Sequence, residues 1–380
     1  MIAKAKNRSG GGPTVRPMRR SGIELLRIIA MLIIILYHFC YYSGMQDIVA
    51  TTETFRESFF DGIGSFGRFG VAIFFIITGY FLCKRDTAPK VKKKVWPIIR
   101  VALFYFLASV ILSFIFMRDS LKVSFPLQEN GYSYNLIAIF SVDYWFISAF
   151  VLLMIFSPFI KEMLDKLSDK KITQLCLIVV LLSSVAMDFF RLLMISESGL
   201  ILGGFPIPVP FVYSLVGYTI ARREKEIKTR GWAAIFLLIG AELIMLAPIV
   251  TTFYVRHGWG APTHLFRGEL ATGTAFAAIG CFIIFMKMKW QNRFVNYVAS
   301  LTLAVYLVHN NPFTKAILFT DKNRMRIVDF MYNNGNFLQV CLTAIAVVLV
   351  IFVACCIIEI VRRLAVRAII RLCTIEKAPE

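Results

Sequence analysis

Apolar runs of about twenty residues recur along almost the whole of this 380-residue chain. A bilayer core about 30 Å thick is crossed by roughly that many residues in a helix, and only helices or closed barrels satisfy their backbone within it. Ten candidate spans lie near 22–42, 66–83, 96–117, 143–160, 172–189, 206–221, 231–252, 268–288, 294–312 and 336–361. The bulk numbers agree: 58% of residues are hydrophobic and 17% charged, where a soluble domain carries roughly 25% charge. The expected fold is all-α, a polytopic integral membrane protein of about ten transmembrane helices.

The net charge of +19 invites a nucleic-acid reading, but its distribution gives another. Basic clusters precede the first run (Lys4 to Arg20), follow the second (Lys84 to Lys94), and recur at Lys166/Lys170/Lys171, Arg222 to Arg230, Lys287/Lys289/Arg293 and Arg362 to Arg371. Their place after every second span is that of cytoplasmic loops. Topology accounts for the charge, no nucleic-acid partner is called for, and both termini are expected in the cytoplasm. The chain divides into a basic tail over 1–17, expected to be disordered, a transmembrane domain over 18–365 and a cytoplasmic tail over 366–380. The eight cysteines show neither CxxC nor metal-ligand spacing and mostly sit in apolar runs, as buried thiols do. No metal site is expected. The loops assigned to the outside are too short for a catalytic domain, so any chemistry must lie among the helices.

The first run, "SGIELLRIIAMLIIILYHF", carries three groups that a plain anchor omits. Glu24 and Arg27 stand at i,i+3, placed for an ion pair near the inner surface. Arg27 and His38 are eleven residues apart, three turns, which puts them on one face and about 16 Å apart in height. Ionisable groups at membrane depth are costly unless they face the bundle interior or a wet cavity. The plain structural reading makes Glu24 and Arg27 interface markers and His38 a satisfied hydrogen bonder; the shared face argues for a functional stripe.

Arg27-x10-His38, preceded by Glu24-Leu25, resembles the opening of the bacterial membrane O-acyltransferases known as acyltransferase family three. Further motifs follow in that family's order. "GVAIFFIITGYFL" from Gly70 is similar to its second-helix signature, with Thr78 where Ser is usual. "KVKKKVWPIIR" from Lys90 is similar to the basic stretch opening its third helix, with lysines where arginine is commoner. "DYWFISAFVLLMIFSPFI" from Asp143 and "AVYLVHN" from Ala304 resemble its Trp-Phe-Leu helix and its late Tyr-Leu-x-His. The likeness covers the ten-helix body, roughly 18–365.

The resemblance implies transfer of an acyl group, usually acetyl, from a coenzyme A thioester to a hydroxyl of a cell-surface or lipid-linked glycan, in a multi-pass protein of the bacterial cytoplasmic membrane. Acyl-CoA is then a co-substrate and no bound cofactor is needed. Arg27 with Lys90, Lys93 and Lys94 is expected to hold the CoA phosphates, although lysine cannot grip phosphate in a bidentate fork. His38 is expected to act as general base, its intrinsic pKa suiting proton transfer near neutrality; an acyl-histidine intermediate is the variant. Asp61, Asp143 and Glu269 are candidate partners for the imidazole. His309 and Trp145 are candidates for the acceptor side, and Glu24 for support of Arg27. A transporter of polysaccharide or lipid-linked sugar, performing no chemistry, is the alternative from another class; it would tolerate a neutral polar replacement of His38 where acid–base catalysis would not.

Overall fold

The structure, a computed structural model, describes residues 20–43, 55–85, 90–116, 144–193, 208–227, 230–259, 262, 264–330 and 336–375. Every regular element among them is helical. In chain order these are α1 (Ser21–Tyr42), α2 (Phe55–Ser65), α3 (Gly67–Cys83), α4 (Val91–Phe116), α5 (Trp145–Asp165), α6 (Asp169–Val180), α7 (Met187–Leu192), α8 (Pro208–Arg222), α9 (Gly231–Arg256), α10 (Thr272–Met286), α11 (Arg293–Ala299), α12 (Thr302–His309), α13 (Pro312–Leu318), α14 (Asp321–Asp329) and α15 (Phe337–Ile375). A π turn over Leu181–Ala186 joins α6 to α7.

Among the described residues, seven helical segments are long and apolar enough to cross a bilayer. Each overlaps one of the ten predicted runs. The other three runs form shorter helices: α8 and α10, of 15 residues each, and the 294–312 run, which is divided into α11 and α12. The last helix continues to Ile375, beyond the predicted end of its span. The predicted tail over 1–17 lies outside the described residues.

Helices α1, α3, α8 and α10 form the interior: α3 packs on α1, α8 and α10, and α9 covers α10. The α3–α8 crossing is fixed by two glycines. A Cβ on Gly79 would collide with the Ser214 carbonyl, and one on Gly217 with that of Ile76. Small residues that let backbones touch are the usual adhesive between membrane helices, where lipid removes the hydrophobic driving force. Leu107, Ile111 and Phe114 of α4, and Leu338, Leu342 and Val350 of α15, remain exposed, as a lipid-facing perimeter requires.

Charge is sorted between the two ends of the bundle. Glu224, just past α8, bonds Arg20 before α1 at 2.6 Å and Lys84 after α3 at 2.6 Å. Lys287, after α10, reaches the Glu224 carbonyl at 3.2 Å. On α15, Glu359 is 1% exposed and receives Arg362 at 2.7 Å, Arg363 at 2.6 Å and the Tyr105 hydroxyl at 2.7 Å. Arg363 also donates to the Ser300 carbonyl at 2.7 Å. The start of α1 and the distal part of α15 therefore share the basic end. At the opposite end the pairs are Arg267 with Asp61, Arg68 with Glu269 at 3.2 Å, and Arg191 with Asp188 at 2.9 Å.

Candidate active site

A cavity of about 410 Å³ opens among α1, α3, α4, α5 and the α11–α12 junction. Its polar lining comes from Arg27, Thr78, Arg85, Lys94, Ser300 and Thr302; farther in it is walled by Met31, Phe74, Phe146, Phe150 and Tyr306. A cationic mouth over an apolar shaft suits a ligand with an anionic head and a thin, largely neutral arm.

Each element has a local reason for its part. Arg27 is held by Glu24 at 3.3 Å, the Glu24 carboxyl being 4% exposed. The guanidinium also lies over the Phe81 ring, 5.9 Å from its centroid. The Thr78 hydroxyl donates to the Phe74 carbonyl one turn back at 2.8 Å, which satisfies its proton while the side chain lines the cavity. The 294–312 run breaks at Ser300–Leu301, and the first turn of α12 starts on the cavity wall with Thr302 and Leu303. A helix N-terminus carries partial positive charge and unsatisfied N–H groups, so this break adds to the field of the three cations. Asn311 ends the run by capping α13, accepting from the Phe313 amide at 3.0 Å, with Pro312 in the first turn.

Beyond Tyr306 stands a pair of imidazoles. His38 Nδ1 lies 2.8 Å from His309 Nε2, and His309 Nδ1 lies 2.7 Å from the Val305 carbonyl. The carbonyl can only accept, so the neutral His309 carries its proton on Nδ1 and offers a lone pair on Nε2. That lone pair can only receive, so the His38 proton sits on Nδ1. The His38 Nε2 is left with its own lone pair, the form a general base must have. His309 is 5% exposed and His38 is half-buried, so His38 has the surface to present. Neither imidazole lines the cavity. The Tyr306 ring does, and it packs edge-on against His309 with centroids 5.9 Å apart.

The sequence-derived candidates fall into distinct groups. Arg27 and Lys94 meet in the cavity, whereas Lys90 and Lys93 are exposed and do not line it. Asp61 is paired with Arg267, and Glu269 with Arg68; neither meets His38, whose partner is His309. Asp143 lies outside the described residues. Trp145 is half-buried beside Phe146 and does not line the cavity. Its neighbour Tyr144 is fully buried, donating to the Leu307 carbonyl at 2.8 Å and accepting from Asn311 at 3.1 Å; it latches α5 to the end of α12. Sequence reasoning missed Arg85, Ser300 and Tyr306. Arg85 had a signal, since it stands five residues before Lys90, at the start of the same basic cluster. Tyr306 is the tyrosine of the Tyr-Leu-x-His motif. Ser300 carried none.

A family model described as an acyltransferase domain matches residues 20–357. No curated protein and no solved structure matches the chain. The family match runs from the residue before α1 well into α15, across the cationic cavity and both imidazoles, and the chain belongs to acyltransferase family three.

Proposed function

We propose that this protein is a membrane O-acyltransferase that moves an acyl group, acetyl foremost, from acyl-CoA to a hydroxyl of a cell-surface or lipid-linked glycan. The observation that carries the reading is the ordered site: three cations at the mouth of an apolar cavity, and a tautomerically fixed histidine pair just beyond its inner end. In this reading the basic end of the bundle faces the cytoplasm of a bacterial cell membrane, in keeping with the preference for Lys and Arg on that side. Arg27, Arg85 and Lys94 receive donor phosphate, and the pantetheine arm runs along the apolar wall toward Tyr306.

The chemistry is then general-base acyl transfer. His38 Nε2 takes the proton of the acceptor hydroxyl as its oxygen attacks the thioester carbonyl. The tetrahedral intermediate collapses with cleavage of the carbon–sulfur bond, and the imidazolium returns the proton to the departing thiolate. The products are the ester and free coenzyme A. During the step His38 carries a positive charge, and its Nδ1–H to His309 Nε2 stabilises that charge; general-base catalysis of this kind is worth typically 10²–10⁴-fold. Glu24 keeps Arg27 extended along the cavity.

The test is transfer of radiolabel from labelled acetyl-CoA to cell-envelope glycan by the purified protein in lipid nanodiscs. Label is expected in the glycan with wild type and absent with His38→Ala, at equal protein level. Full transfer by His38→Ala, or by a neutral His38→Gln, would overturn the reading.

A further inference from the structure

A second concavity, of about 840 Å³, lies at the basic end, beside the start of α1. Its volume is that of a ligand site and not of a packing defect. Five cations line it: Arg20, Lys84, Lys225, Lys287 and Lys289. The single carboxylate there, Glu224, is shared by Arg20 and Lys84 and also accepts from the Tyr80 hydroxyl at 2.9 Å. Lys225 and Lys289 are exposed and form no ion pair among the described residues. The cleft thus keeps a strong positive excess. It also contains Trp290, 36% exposed, while that residue's carbonyl ties the loop to the Ser21 amide at 3.3 Å.

The cleft adjoins the candidate active site through two stretches of chain. Lys84 belongs to the cleft and the next residue, Arg85, to the cavity. Arg20, just before α1, belongs to the cleft and Arg27, in its second turn, to the cavity, a rise of roughly 10 Å along the helix. A single elongated ligand with phosphates at one end could engage both.

We propose that this cleft holds the adenosine 3′-phosphate end of the acyl-CoA donor, with lysines on the 3′-phosphate and Trp290 against the adenine, while the diphosphate reaches Arg27, Arg85 and Lys94 in the neighbouring cavity. The inference rests on the acyl-CoA reading given above and adds a separate nucleotide subsite to it. The 3′-phosphate matches the unpaired lysines of this cleft, the diphosphate matches the cations of the adjoining cavity, and a purine matches an exposed indole, since base–aromatic stacking works with any base. An anionic lipid headgroup shares the phosphate chemistry but brings no ring to Trp290.

The experiment is isothermal titration of full-length protein, in neutral phosphatidylcholine nanodiscs, with adenosine 3′,5′-bisphosphate, which has no thioester and no arm. Wild type and His38→Ala are expected to bind alike. The Lys287→Ala/Lys289→Ala double variant is expected to weaken binding at least about tenfold, as loss of charge-assisted contacts does, and Trp290→Ala by several-fold. Monodispersity and helix content guard against misfolding. Equal affinity of the double variant and wild type overturns the proposal. So does the absence of nucleotide binding in wild type; phosphatidylglycerol retained by wild type and lost by the double variant in native mass spectrometry would then make the cleft a headgroup site. Nucleotide binding without any radiolabel transfer would sink the acyltransfer reading and leave the cleft standing.

Discussion

His38 Nδ1 and His309 Nε2 face each other at 2.8 Å across the α1–α12 contact, and the Val305 carbonyl beneath His309 fixes the direction of the whole chain of hydrogen bonds. The roles of the two imidazoles therefore differ. His309→Ala is expected to lower kcat about 10²-fold while leaving the acyl-CoA KM unchanged, within the range for loss of acid–base positioning. His309→Gln, whose carbonyl can still accept from His38, should recover part of that loss. Equal kcat for the two variants in the radiolabel assay would show that His309 does not orient His38.

Lys94 and Arg27 both line the cavity mouth, but only Arg27 neutralises a buried carboxyl. Lys94→Ala is therefore expected to raise the acyl-CoA KM several-fold with kcat unchanged and no loss of melting temperature. Arg27→Ala should raise KM and also destabilise, by about 1–3 kcal/mol, because Glu24 is left without its charge-assisted bond. Thermal melts of the two variants, run beside their Michaelis curves, separate the effects.

The backbone contact between α3 and α8 leaves no room for a methyl group at Gly79. Gly79→Ala should force the helices apart, costing about 1–3 kcal/mol as overpacking does. Gly231, whose added Cβ would meet open space, is the control. A melting temperature lowered for Gly79→Ala and unchanged for Gly231→Ala is the expected result.

Glu224 lies outside the membrane-spanning segments, and its titration predicts an acid limit. Burial would push its carboxyl up, but hydrogen bonds from Lys84, Arg20 and Tyr80 outweigh this and bring it down to about 2. A carboxyl held below its unfolded value of about 4.3 stabilises the fold above that pH, and the contribution fades as pH falls toward about 2. The melting-temperature gap between wild type and Glu224→Gln should be constant from about pH 8 to 5 and close at the acid end. A gap independent of pH down to about 3 would count against the ion-pair role.

The buried Glu359 gathers Arg362, Arg363 and Tyr105. Removing the carboxyl in Glu359→Ala takes the carboxylate from Arg362 and leaves Arg363 with Ser300 alone, a loss of about 3–5 kcal/mol when a buried pair is broken from one side. The variant should accumulate poorly and lose the Arg363–Ser300 tie at the cavity wall. Normal expression with an unchanged melting temperature would contradict this.

Much of the fold was legible because hydropathy and charge act over long stretches. The seven long spans and the gathering of basic clusters at one end follow from run length and loop composition alone. Arg27 and Lys94 were readable from helical spacing and from the basic stretch before Trp96. The pairing of His38 with His309 was not, since they are 271 residues apart and only packing of α1 against α12 joins them. Carboxylates were the expected partners of His38, yet Asp61 and Glu269 are held by arginines of their own, and no local pattern reveals that competition. The breaks flanking α12 were equally hidden, because the 294–312 run keeps its apolar character while Ser300 and Asn311 interrupt its helix.

Tyr306 has a consequence of its own. With one face on the cavity and its edge on His309, this phenol is a partition between the chamber assigned to the thioester and the histidine pair. In the acyl transfer proposed above, thioester and imidazole meet only where this one ring turns aside, an arrangement that would shield a resting donor from wasteful hydrolysis.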